Sequence, residues 1–372
     1  MRYFVSTGEA SGELSAVLLA DAMRVYDPHA RFEGIGSDAM CAAGFDLWRD
    51  HTGWASMGPL AAIPRIPKLL TTMWATARHI AAIKPDLVVL VDFGAFNVRL
   101  AKTLRRSHAY AGPILDVFPP ATWLDNEARA REVSSYAVPL TAFEHQYNFY
   151  KQHRLPIVYF GHPLAARYQA RPPLAAPDPN GGCVALLPGS RAGELRYHVP
   201  VLMAAFRLLK ARRPQLRGVI GAADERAERH LRTALARTRL TDISIVRGVA
   251  AAIAQADAAW VSSGTAVLET TLSGVPSIAF YIIAPILVKH ARRVYRGEFI
   301  ALPNLALGRA IVPEFLQDAA TPLHLADAMD RLLDDPHAQY AQFDDLRRGL
   351  GPPDALDQCA KFAVSLARGT SA

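Results

Sequence analysis

A glycine-containing turn followed by a carboxylate is the part of this sequence best suited to chemistry. The apolar segment Ala258–Val261 is typical of a buried strand, and the turn Ser263-Gly264-Thr265 leads from it directly into a helical pattern. The free amides at the start of a helix carry partial positive charge, which suits a phosphate group. Glu269 lies a little more than one helical turn further on, where a carboxylate can accept hydrogen bonds from ribose hydroxyls. The pattern indicates a nucleotide site, although an ordinary strand–turn–helix with a surface glutamate fits it equally well.

A second candidate for phosphate binding follows another apolar strand. Gly189, Ser190 and Arg191 come shortly after the segment Cys183–Leu187 and open the next helical pattern. The glycine permits a tight turn, the hydroxyl can cap the helix, and the guanidinium fork matches diphosphate oxygens. A capped helix with a surface arginine is the alternative interpretation of the same residues.

Two loops in the first half of the chain carry side chains suited to acid–base chemistry. Gly8 and Gly12 flank Glu9 after the first strand-like segment, and they permit close approach by a ligand or by another domain. Their spacing differs from the GxGxxG pattern of dinucleotide-binding loops, so the sequence predicts no NAD site. His162 stands in a Gly-His-Pro sequence, where it can serve as a base, although a lone histidine is more commonly a structural hydrogen-bonding residue.

Strand-like apolar segments alternate with amphipathic helical segments, which is the pattern of α/β domains with buried parallel strands. In the first half, helices are predicted at Leu14–Val25, Phe96–Arg106 and His145–His153, and strands at Tyr3–Thr7, Leu87–Val91, Ile114–Phe118 and Ile157–Phe160. In the second half, strands are predicted at Cys183–Leu187, Val219–Gly221, Ile243–Val246, Ala258–Val261 and Ser277–Tyr281. The sequence therefore predicts two doubly wound, Rossmann-like domains that bind ligands at the carboxyl ends of their strands.

A stretch rich in proline and glycine separates the two series of strands. Residues 170–182 contain four prolines and two glycines, which prevents the continuation of either a helix or a strand. We therefore predict a first domain over residues 1–170, a linker over 171–182 and a second domain over 183–350. A C-terminal helix is predicted within residues 351–372.

Composition restricts the class of partner. The chain has 372 residues, a formal net charge of +7 and a pI near 9.4, which favours a nucleotide or an acidic lipid surface. It has no helix-turn-helix, zinc-finger or RNP pattern, so nucleic acid is not expected as a partner. No apolar stretch reaches the ~20 residues of a membrane-spanning helix, no signal peptide is recognised, and the three cysteines form no CxxC pair. These features predict a soluble or peripheral protein of a reducing cytosol.

Several short motifs together give the chain a specific resemblance. Their order and spacing resemble those of lipid-A-disaccharide synthases, which join two acylated glucosamines on the way to lipid A. The motifs span nearly the whole chain: Gly8 to Gly12, Phe96 to Ala101, Gly161 to Pro163, Leu186 to Arg191, Ser263 to Thr265 with Glu269, and Leu302 to Asn304 continuing through Gly308 and Arg309 to Glu314.

The resemblance implies a glycosyltransferase fold of the B type, with the C-terminal helix packed back on the first domain. It implies transfer of 2,3-diacylglucosamine from UDP-2,3-diacylglucosamine to 2,3-diacylglucosamine 1-phosphate, with inversion at the anomeric carbon. It also implies a homodimer and a cytoplasmic protein held peripherally on the inner face of the cytoplasmic membrane. The first domain is then on the acceptor side. The resemblance further implies that the second domain binds the UDP-sugar, through the motif residues Gly189, Ser190, Arg191, Ser263, Gly264, Thr265, Glu269 and Asn304.

Such a transfer requires stabilisation of the departing UDP and a base that deprotonates the acceptor hydroxyl. The chain lacks the DxD motif of metal-dependent transferases, so we expect no metal or other cofactor. The amides at Gly264–Thr265 and the guanidinium of Arg191 would bear the diphosphate charge instead. The family has an aspartate directly before its Phe-Asn pair, as a leading candidate for the base, and this chain has Ala95 there. The candidates that remain for the base are Asp92, Glu9 and His162.

Other features bear on the acceptor and on the membrane. Glu13 stands where the family has aspartate, and residues 119–126 replace a family stretch rich in aromatic and basic side chains. The segment Ile283–Arg296 is apolar first and basic afterwards, as in peripheral contacts with anionic lipid. A core helix with a solvated basic end is the alternative interpretation of that segment.

Three hypotheses about function remain open at this point. The first is a lipid-A-disaccharide synthase, or a close relative with another acceptor. The second is a related UDP-sugar enzyme of the same fold, such as an epimerase or another lipid glycosyltransferase. The third is a homologue that binds a UDP-sugar or a lipid without catalysis. Ala95 favours the second and third hypotheses, whereas the set of Arg191, Gly264, Glu269 and Asn304 favours the first two.

Overall fold

The chain folds into two compact units. A computed structural model describes residues 1–51, 66–119, 126–168, 182–238, 240–295 and 297–370. The first unit comprises Met1–Arg167 and Leu350–Ala372, and the second comprises Tyr168–Gly349. The predicted linker over residues 171–182 lies outside the described residues, apart from Gly182.

The first unit is built around a parallel sheet. Its elements up to the domain boundary are β1 (Arg2–Ser6), α1 (Ala10–Tyr26), β2 (Arg31–Gly36), α2 (Asp38–Ala42), β3 (Asp46–Asp50), α3 (Ile66–Ile83), β4 (Leu87–Val91), α4 (Gly94–Arg106), β5 (Ile114–Val117), α5 (Glu127–Tyr136), β6 (Val138–Thr141), α6 (Glu144–Gln152) and β7 (Val158–Tyr159). The described strands form a seven-stranded sheet in the order β3-β2-β1-β4-β5-β6-β7. Their pairs are parallel, as expected when helices connect consecutive strands.

The second unit repeats this architecture. Its elements are β8 (Cys183–Leu187), α7 (Ala192–Arg212), β9 (Arg217–Ala222), α8 (Glu225–Ala236), β10 (Ile243–Arg247), α9 (Val249–Ile253), β11 (Ala258–Ser262), α10 (Thr265–Leu272), β12 (Ser277–Tyr281), α11 (Pro285–Val294), α12 (Leu302–Leu307), β13 (Glu314–Leu316), α13 (Pro322–Asp334) and α14 (His337–Gly349). The described strands form a six-stranded parallel sheet in the order β10-β9-β8-β11-β12-β13.

Each sheet is buried on both faces, which explains the continuous apolar runs of its central strands. In the first unit, Tyr3 and Val5 face α1, whereas Phe4 faces the opposite side together with residues of α3 and α4. The C-terminal helix α15 (Ala355–Arg368) belongs to the first unit and packs on α1 through Cys359 and Ala363. In the second unit, Trp260 is fully buried among residues of β8, α7 and α13.

The strand orders confirm the predicted fold class, with two doubly wound sheets. In the first unit β1 lies beside β4, and in the second β8 lies beside β11, so the winding direction reverses between these neighbours. Such a topological switch point opens a crevice at the carboxyl ends of the two strands, where ligands of open α/β sheets bind. Each unit therefore has one position at which its topology favours a ligand.

Candidate functional site

Both predicted phosphate loops lie at the switch point of the second unit. The loop after β8 carries Gly189, Ser190 and Arg191, and the turn after β11 carries Ser263, Gly264 and Thr265. β8 and β11 are hydrogen-bonded neighbours with Leu187 opposite Val261, so the two loops leave the sheet side by side. The structure thus brings together, at one crevice, the two sequence motifs that were predicted separately.

A buried carboxylate holds the first loop in shape. Glu194 is 5% exposed, and its side chain accepts hydrogen bonds from the amide of Ser190 at 3.1 Å and the amide of Arg191 at 3.2 Å. It also pairs with the guanidinium of Arg191 at 3.1 Å and accepts a hydrogen bond from the hydroxyl of Tyr281 at 3.0 Å. Gly189 has φ +97°, and a Cβ there would lie 2.4 Å from the carboxylate of Glu194, so the position requires glycine.

A buried histidine connects this loop to the end of β12. His198 is fully buried on α7, where Nδ1 lies 2.7 Å from the carbonyl oxygen of Pro188 and Nε2 accepts the amide of Ile282 at 3.0 Å. Nε2 also lies 3.1 Å from the carbonyl oxygen of Ile282. Because an amide can only donate, the bond from the Ile282 amide requires an unprotonated Nε2 and places the proton on Nδ1, which then donates to Pro188. Burial lowers the pKa of His198, although the nearby carbonyls and Glu194 act in the opposite direction, so the neutral ring is favoured.

The second loop presents the start of α10 at the crevice. Gly264 caps this helix at φ +153° and no side chain caps it, so the first helical amides are not used by a local cap. The hydroxyl of Ser263 donates to the carbonyl oxygen of Ile300 at 3.1 Å, and the amide of Ser263 donates to the carbonyl oxygen of Phe280 at 2.9 Å. The turn is therefore fixed from two sides through Ser263, directly before the first amides of α10.

Two further predicted residues of the second unit have protein partners. Glu269 is 8% exposed, and its carboxylate accepts a hydrogen bond from the phenol of Tyr168. Asn304 is fully buried; Oδ1 accepts the amides of Ile311 and Val312, and Nδ2 donates to the carbonyl oxygen of Val312 and to Glu314. These bonds use the full capacity of the Asn304 amide, so it fixes the loop after α12 and has no bond left for a ligand.

The switch point of the first unit has a constrained backbone. Asp92 and Phe93 directly follow β4 and both adopt left-handed conformations, with φ +51° and +48°. Such conformations are unfavourable for residues other than glycine and concentrate at functional sites. The ring of Phe93 lies so close to Gly8 that a Cβ there would be 2.3 Å away, and Gly12 approaches the carbonyl oxygen of Val91. Gly8 and Gly12 therefore permit close packing of this loop against the end of β4 in the same unit.

Asn97 connects the two strands at this switch point. It is fully buried and accepts a hydrogen bond from the hydroxyl of Ser6 at 2.7 Å. Its side-chain NH₂ lies 2.8 Å from the carbonyl oxygen of Asp92 and 3.2 Å from that of Ser6. The Phe-Asn motif thus holds the ends of β1 and β4 together and fixes the carbonyl group of Asp92.

The structure places the other acid–base candidates in different settings. Glu9 is the N-cap residue of α1, at the switch point and partly exposed. His162 is 4% exposed; Nδ1 accepts the amide of Leu164, and the ring stacks on Phe118 with centroids 5.8 Å apart. Burial lowers the pKa of His162 to about 4, so its ring is neutral at physiological pH and forms part of the core of the first unit.

One carboxyl that the sequence reasoning overlooked lies beside these residues. Asp116 is the third residue of β5, is 2% exposed, and pairs in register with Leu90 of β4. Burial and the charge of Asp92 raise the pKa of Asp116 to about 8. An aspartate inside the otherwise apolar run Ile-Leu-Asp-Val was the signal in the sequence.

Some predictions fall outside what the structure describes. The side chain of Ala95, residues 120–125 and Arg296 lie outside the described set. Within that set, no group of three or more histidine, cysteine, aspartate or glutamate side chains is arranged to hold a metal ion. No helix of the described segments is both long and apolar enough to cross a bilayer.

The fold has solved relatives that bind uridine nucleotides. A UDP-GlcNAc 2-epimerase from Neisseria meningitidis bound to UDP-GlcNAc superimposes with a TM-score of 0.66 at 11% identity, covering 98% of this chain and all of that one. A Staphylococcus aureus MnaA–UDP complex gives 0.65 at 12% identity, with coverage of 99% and 97%. The glycotransferase of kitacinnamycin gives 0.59 at 15% identity, with coverage of 99% and 98%. At these identities the similarity shows the fold, which is the glycosyltransferase B type.

Sequence comparison is more specific. A family profile described as lipid-A-disaccharide synthetase matches residues 3–349. The lipid-A-disaccharide synthase of Azotobacter vinelandii is 34% identical over 378 residues, covering 99% of this chain and 98% of that protein. The corresponding enzyme of Syntrophus aciditrophicus is 31% identical over 375 residues, with 97% of each chain covered. The chain therefore belongs to the lipid-A-disaccharide synthetase family of glycosyltransferases.

Proposed function

We propose that this protein transfers 2,3-diacylglucosamine from UDP-2,3-diacylglucosamine to 2,3-diacylglucosamine 1-phosphate, with inversion at the anomeric carbon. The observation that carries the proposal is the meeting of the Arg191 loop and the start of α10 at the switch point of the second unit. A guanidinium and a row of helix amides together suit a diphosphate. Membership of the lipid-A-disaccharide synthetase family supports this choice of the two sugars.

Charge stabilisation at this crevice is the core of the proposed mechanism. As the bond between the anomeric carbon and the diphosphate breaks, negative charge builds on the departing UDP. Arg191 and the amides of Gly264 and Thr265 are oriented before the reaction, because Glu194 and Ser263 fix their loops. Preorganised donors of this kind stabilise developing charge without rearrangement. We propose that no metal ion takes part, since the chain has no DxD motif, and that chelation by EDTA leaves the rate unchanged.

Tyr168 and Glu269 define the ribose side of the proposed site. The carboxylate of Glu269 lies at the second turn of α10 and already accepts the phenol of Tyr168. A carboxylate oxygen accepts more than one hydrogen bond, so the same group can receive ribose hydroxyls while it retains Tyr168. Ser190 and Gly189 shape the diphosphate loop, and Asn304 supports the neighbouring one.

A turnover assay tests the proposal directly. Purified protein is incubated with UDP-2,3-diacylglucosamine and 2,3-diacylglucosamine 1-phosphate, and disaccharide formation and UDP release are measured together. Equal amounts of both products are expected. Conversion of the donor to an epimer without UDP release would identify a UDP-sugar epimerase instead. Donor binding with neither product would identify a binding protein.

Arg191→Ala is expected to weaken UDP binding ten- to a hundredfold, or about 1.5–3 kcal/mol, because a charge-assisted hydrogen bond to the diphosphate is lost. Calorimetric titration of UDP into the wild type and the variant measures the effect. Arg196→Ala is the matched control, since Arg196 is an exposed arginine on the same helix. Equal affinities for wild type and Arg191→Ala would remove Arg191 from the site.

We further propose that α11 rests on the anionic inner face of the cytoplasmic membrane, where the acylated substrates reside. Ile286 is 75% exposed near its start, and the exposed side chains of Lys289, Arg292 and Arg293 follow it along the helix. Ile286, Lys289 and Arg293 share one face at helical spacing. An apolar side chain above basic ones is the arrangement of an interfacial helix.

The triple variant Lys289→Ala, Arg292→Ala, Arg293→Ala is expected to bind anionic liposomes far more weakly. Each basic side chain near such a surface contributes about 1 kcal/mol, so the loss of three should weaken binding by somewhat more than about a hundredfold at low salt. Co-sedimentation with phosphatidylglycerol vesicles measures it. The control replaces Arg226, Arg229 and Arg232 of α8 by alanine, which changes the net charge equally. If both triple variants lose binding alike, only net charge matters and α11 is not the contact.

A further inference from the structure

The carboxyl of Asp116 is buried without the partners that buried carboxyls usually have. It is 2% exposed, and it forms no side-chain hydrogen bond with any residue that the structure describes. Tyr150 is also 2% exposed, its hydroxyl has no hydrogen-bond partner among the described residues, and the charge of Asp116 raises the pKa of that hydroxyl. A buried polar group without a partner lowers stability, so its presence calls for a reason other than folding.

Asp116 lies beside the end of β4, at the switch point of the first unit. The amide of Asp92 donates to the carbonyl oxygen of Val117 at 2.9 Å, so β5 ends directly beside the constrained end of β4. Ile114, two residues earlier on the same face, packs in the cluster that contains Phe96 and Leu100 of α4. Because α4 runs antiparallel to the strands, its first turn lies near the carboxyl end of β5, where Asp116 stands. Residue 95 belongs to that turn.

We propose that Asp116 is the general base of this protein and takes the part that a carboxylate at position 95 is expected to play in the family. This inference rests on the proposed function. The hydroxyl oxygen of the acceptor forms a bond to the anomeric carbon, and the Asp116 carboxylate accepts the proton of that hydroxyl. The bond between that carbon and the diphosphate oxygen breaks, and its electron pair leaves with UDP.

The surroundings of Asp116 suit this task. Burial, together with the negative charge of Asp92, raises the pKa of Asp116 to about 8. A carboxylate with such a pKa is a stronger base than an exposed one, and a base works best when its pKa lies near the operating pH. Among the described side chains, Asp92 at the end of β4 and Tyr150 on α6 are the ionisable groups that interact electrostatically with Asp116. Neither carries a positive charge, which would lower the pKa of Asp116.

The pH dependence of kcat/KM, which reports the pKa values of the free enzyme, tests the assignment. Wild-type kcat/KM is expected to rise with pH along a limb with a pKa near 8. Asp116→Asn should lower kcat by ~10²–10⁴ and remove that limb, with UDP affinity unchanged, since the UDP site lies in the second unit. Asp92→Asn should move the limb to lower pH, because the charge that raises the pKa of Asp116 is gone. A thermal melt confirms that each variant is folded.

Asp27→Asn is the matched control, because Asp27 is a buried aspartate of the same unit that contacts Tyr3. This variant should keep the pH profile of the wild type. Asp116→Asn with wild-type kcat and an unchanged limb would overturn the proposal. Loss of turnover in Asp92→Asn, with Asp116→Asn still active, would assign the base to Asp92. A wild type that forms no disaccharide would defeat the proposed function, and the assignment of Asp116 with it.

Discussion

Replacing His198 by alanine is expected to lower the free energy of unfolding by about 3–5 kcal/mol and to weaken UDP binding at least tenfold. Two buried backbone groups lose their partner, the carbonyl oxygen of Pro188 and the amide of Ile282. Each unsatisfied group costs ~1–3 kcal/mol, and the cavity left by the ring adds to this. The loop that carries Arg191 follows Pro188 directly, so its position at the crevice is lost as well.

Urea denaturation and UDP titration measure the two effects. His198→Asn can still donate from its amide nitrogen to Pro188, so it should recover part of the stability. Arg207→Ala, an exposed change on the same helix, should leave both quantities within error. Normal UDP affinity in a destabilised His198→Ala variant would show that this histidine supports the core without positioning the loop.

The stability that His198 provides through Pro188 and Ile282 depends on pH, because its ring can be protonated. Because its folded-state pKa is lowered, the unfolded chain binds a proton more readily than the folded chain. The stability from this residue is therefore fully present above its unfolded pKa of about 6.5 and is lost as the pH falls below that value. His198→Asn should lack this part of the acid sensitivity.

The central strands could be predicted because they are continuous apolar runs. Leu87–Val91, Cys183–Leu187 and Ser277–Tyr281 have the predicted bounds, and the other predicted strands differ by a few residues at their ends. Among the strands that the structure describes, four were missed, and each departs from the apolar pattern: Arg31–Gly36, Asp46–Asp50, Val138–Thr141 and Glu314–Leu316. Gly34 illustrates the reason, because a Cβ there would lie 1.8 Å from the carbonyl oxygen of Val5, and close packing between strands selected glycine over a strand-forming residue.

The positions of the two glycine-containing turns of the second unit could be predicted because turn chemistry is local, whereas their binding of a phosphate group stays a prediction. A glycine, a hydroxyl and an arginine between a strand and a helix can be recognised from adjacent positions. The residues that hold the first of these turns were not recognised, since Glu194 and His198 connect it to Tyr281 and Ile282, which lie more than eighty residues away in the chain. The spacing of Arg191 and Glu194 matches a capping box, which was an available signal for the first of them.

Motif membership alone did not separate binding residues from supporting ones. Asn304 and Asn97 both belong to the family motifs, and both are fully buried with backbone partners. His162 likewise lies in a motif, with its ring nitrogen used to cap a short helix. The sequence places such residues within a motif, whereas their hydrogen bonds show that they shape the loops of their own unit.

Asp116→Asn is expected to make the protein more stable, by an amount that grows with pH. The folded-state pKa of Asp116 is raised from 3.8 to about 8, the reverse of the usual situation for an aspartate. Above pH 4 the unfolded chain releases this proton, whereas the folded chain retains it until about pH 8. The wild type therefore loses stability progressively across that window, and the loss is constant at higher pH. Each pKa unit is worth about 1.4 kcal/mol, so the effect reaches the order of 5 kcal/mol at pH 8.

Urea denaturation at pH 5 and pH 8 measures this dependence for the wild type and Asp116→Asn. The variant should gain more over the wild type at pH 8 than at pH 5, because asparagine carries no charge to bury. Asp27→Asn should instead be less stable than the wild type, and more so at pH 8. The reason is that the charged Asp27 accepts a hydrogen bond from Tyr3 at 3.1 Å, which favours its ionised form. A destabilised Asp116→Asn would mean that the carboxylate is held by the fold. If Asp116→Asn is more stable than the wild type and has reduced turnover, the carboxylate lowers stability and promotes catalysis, as expected of a base.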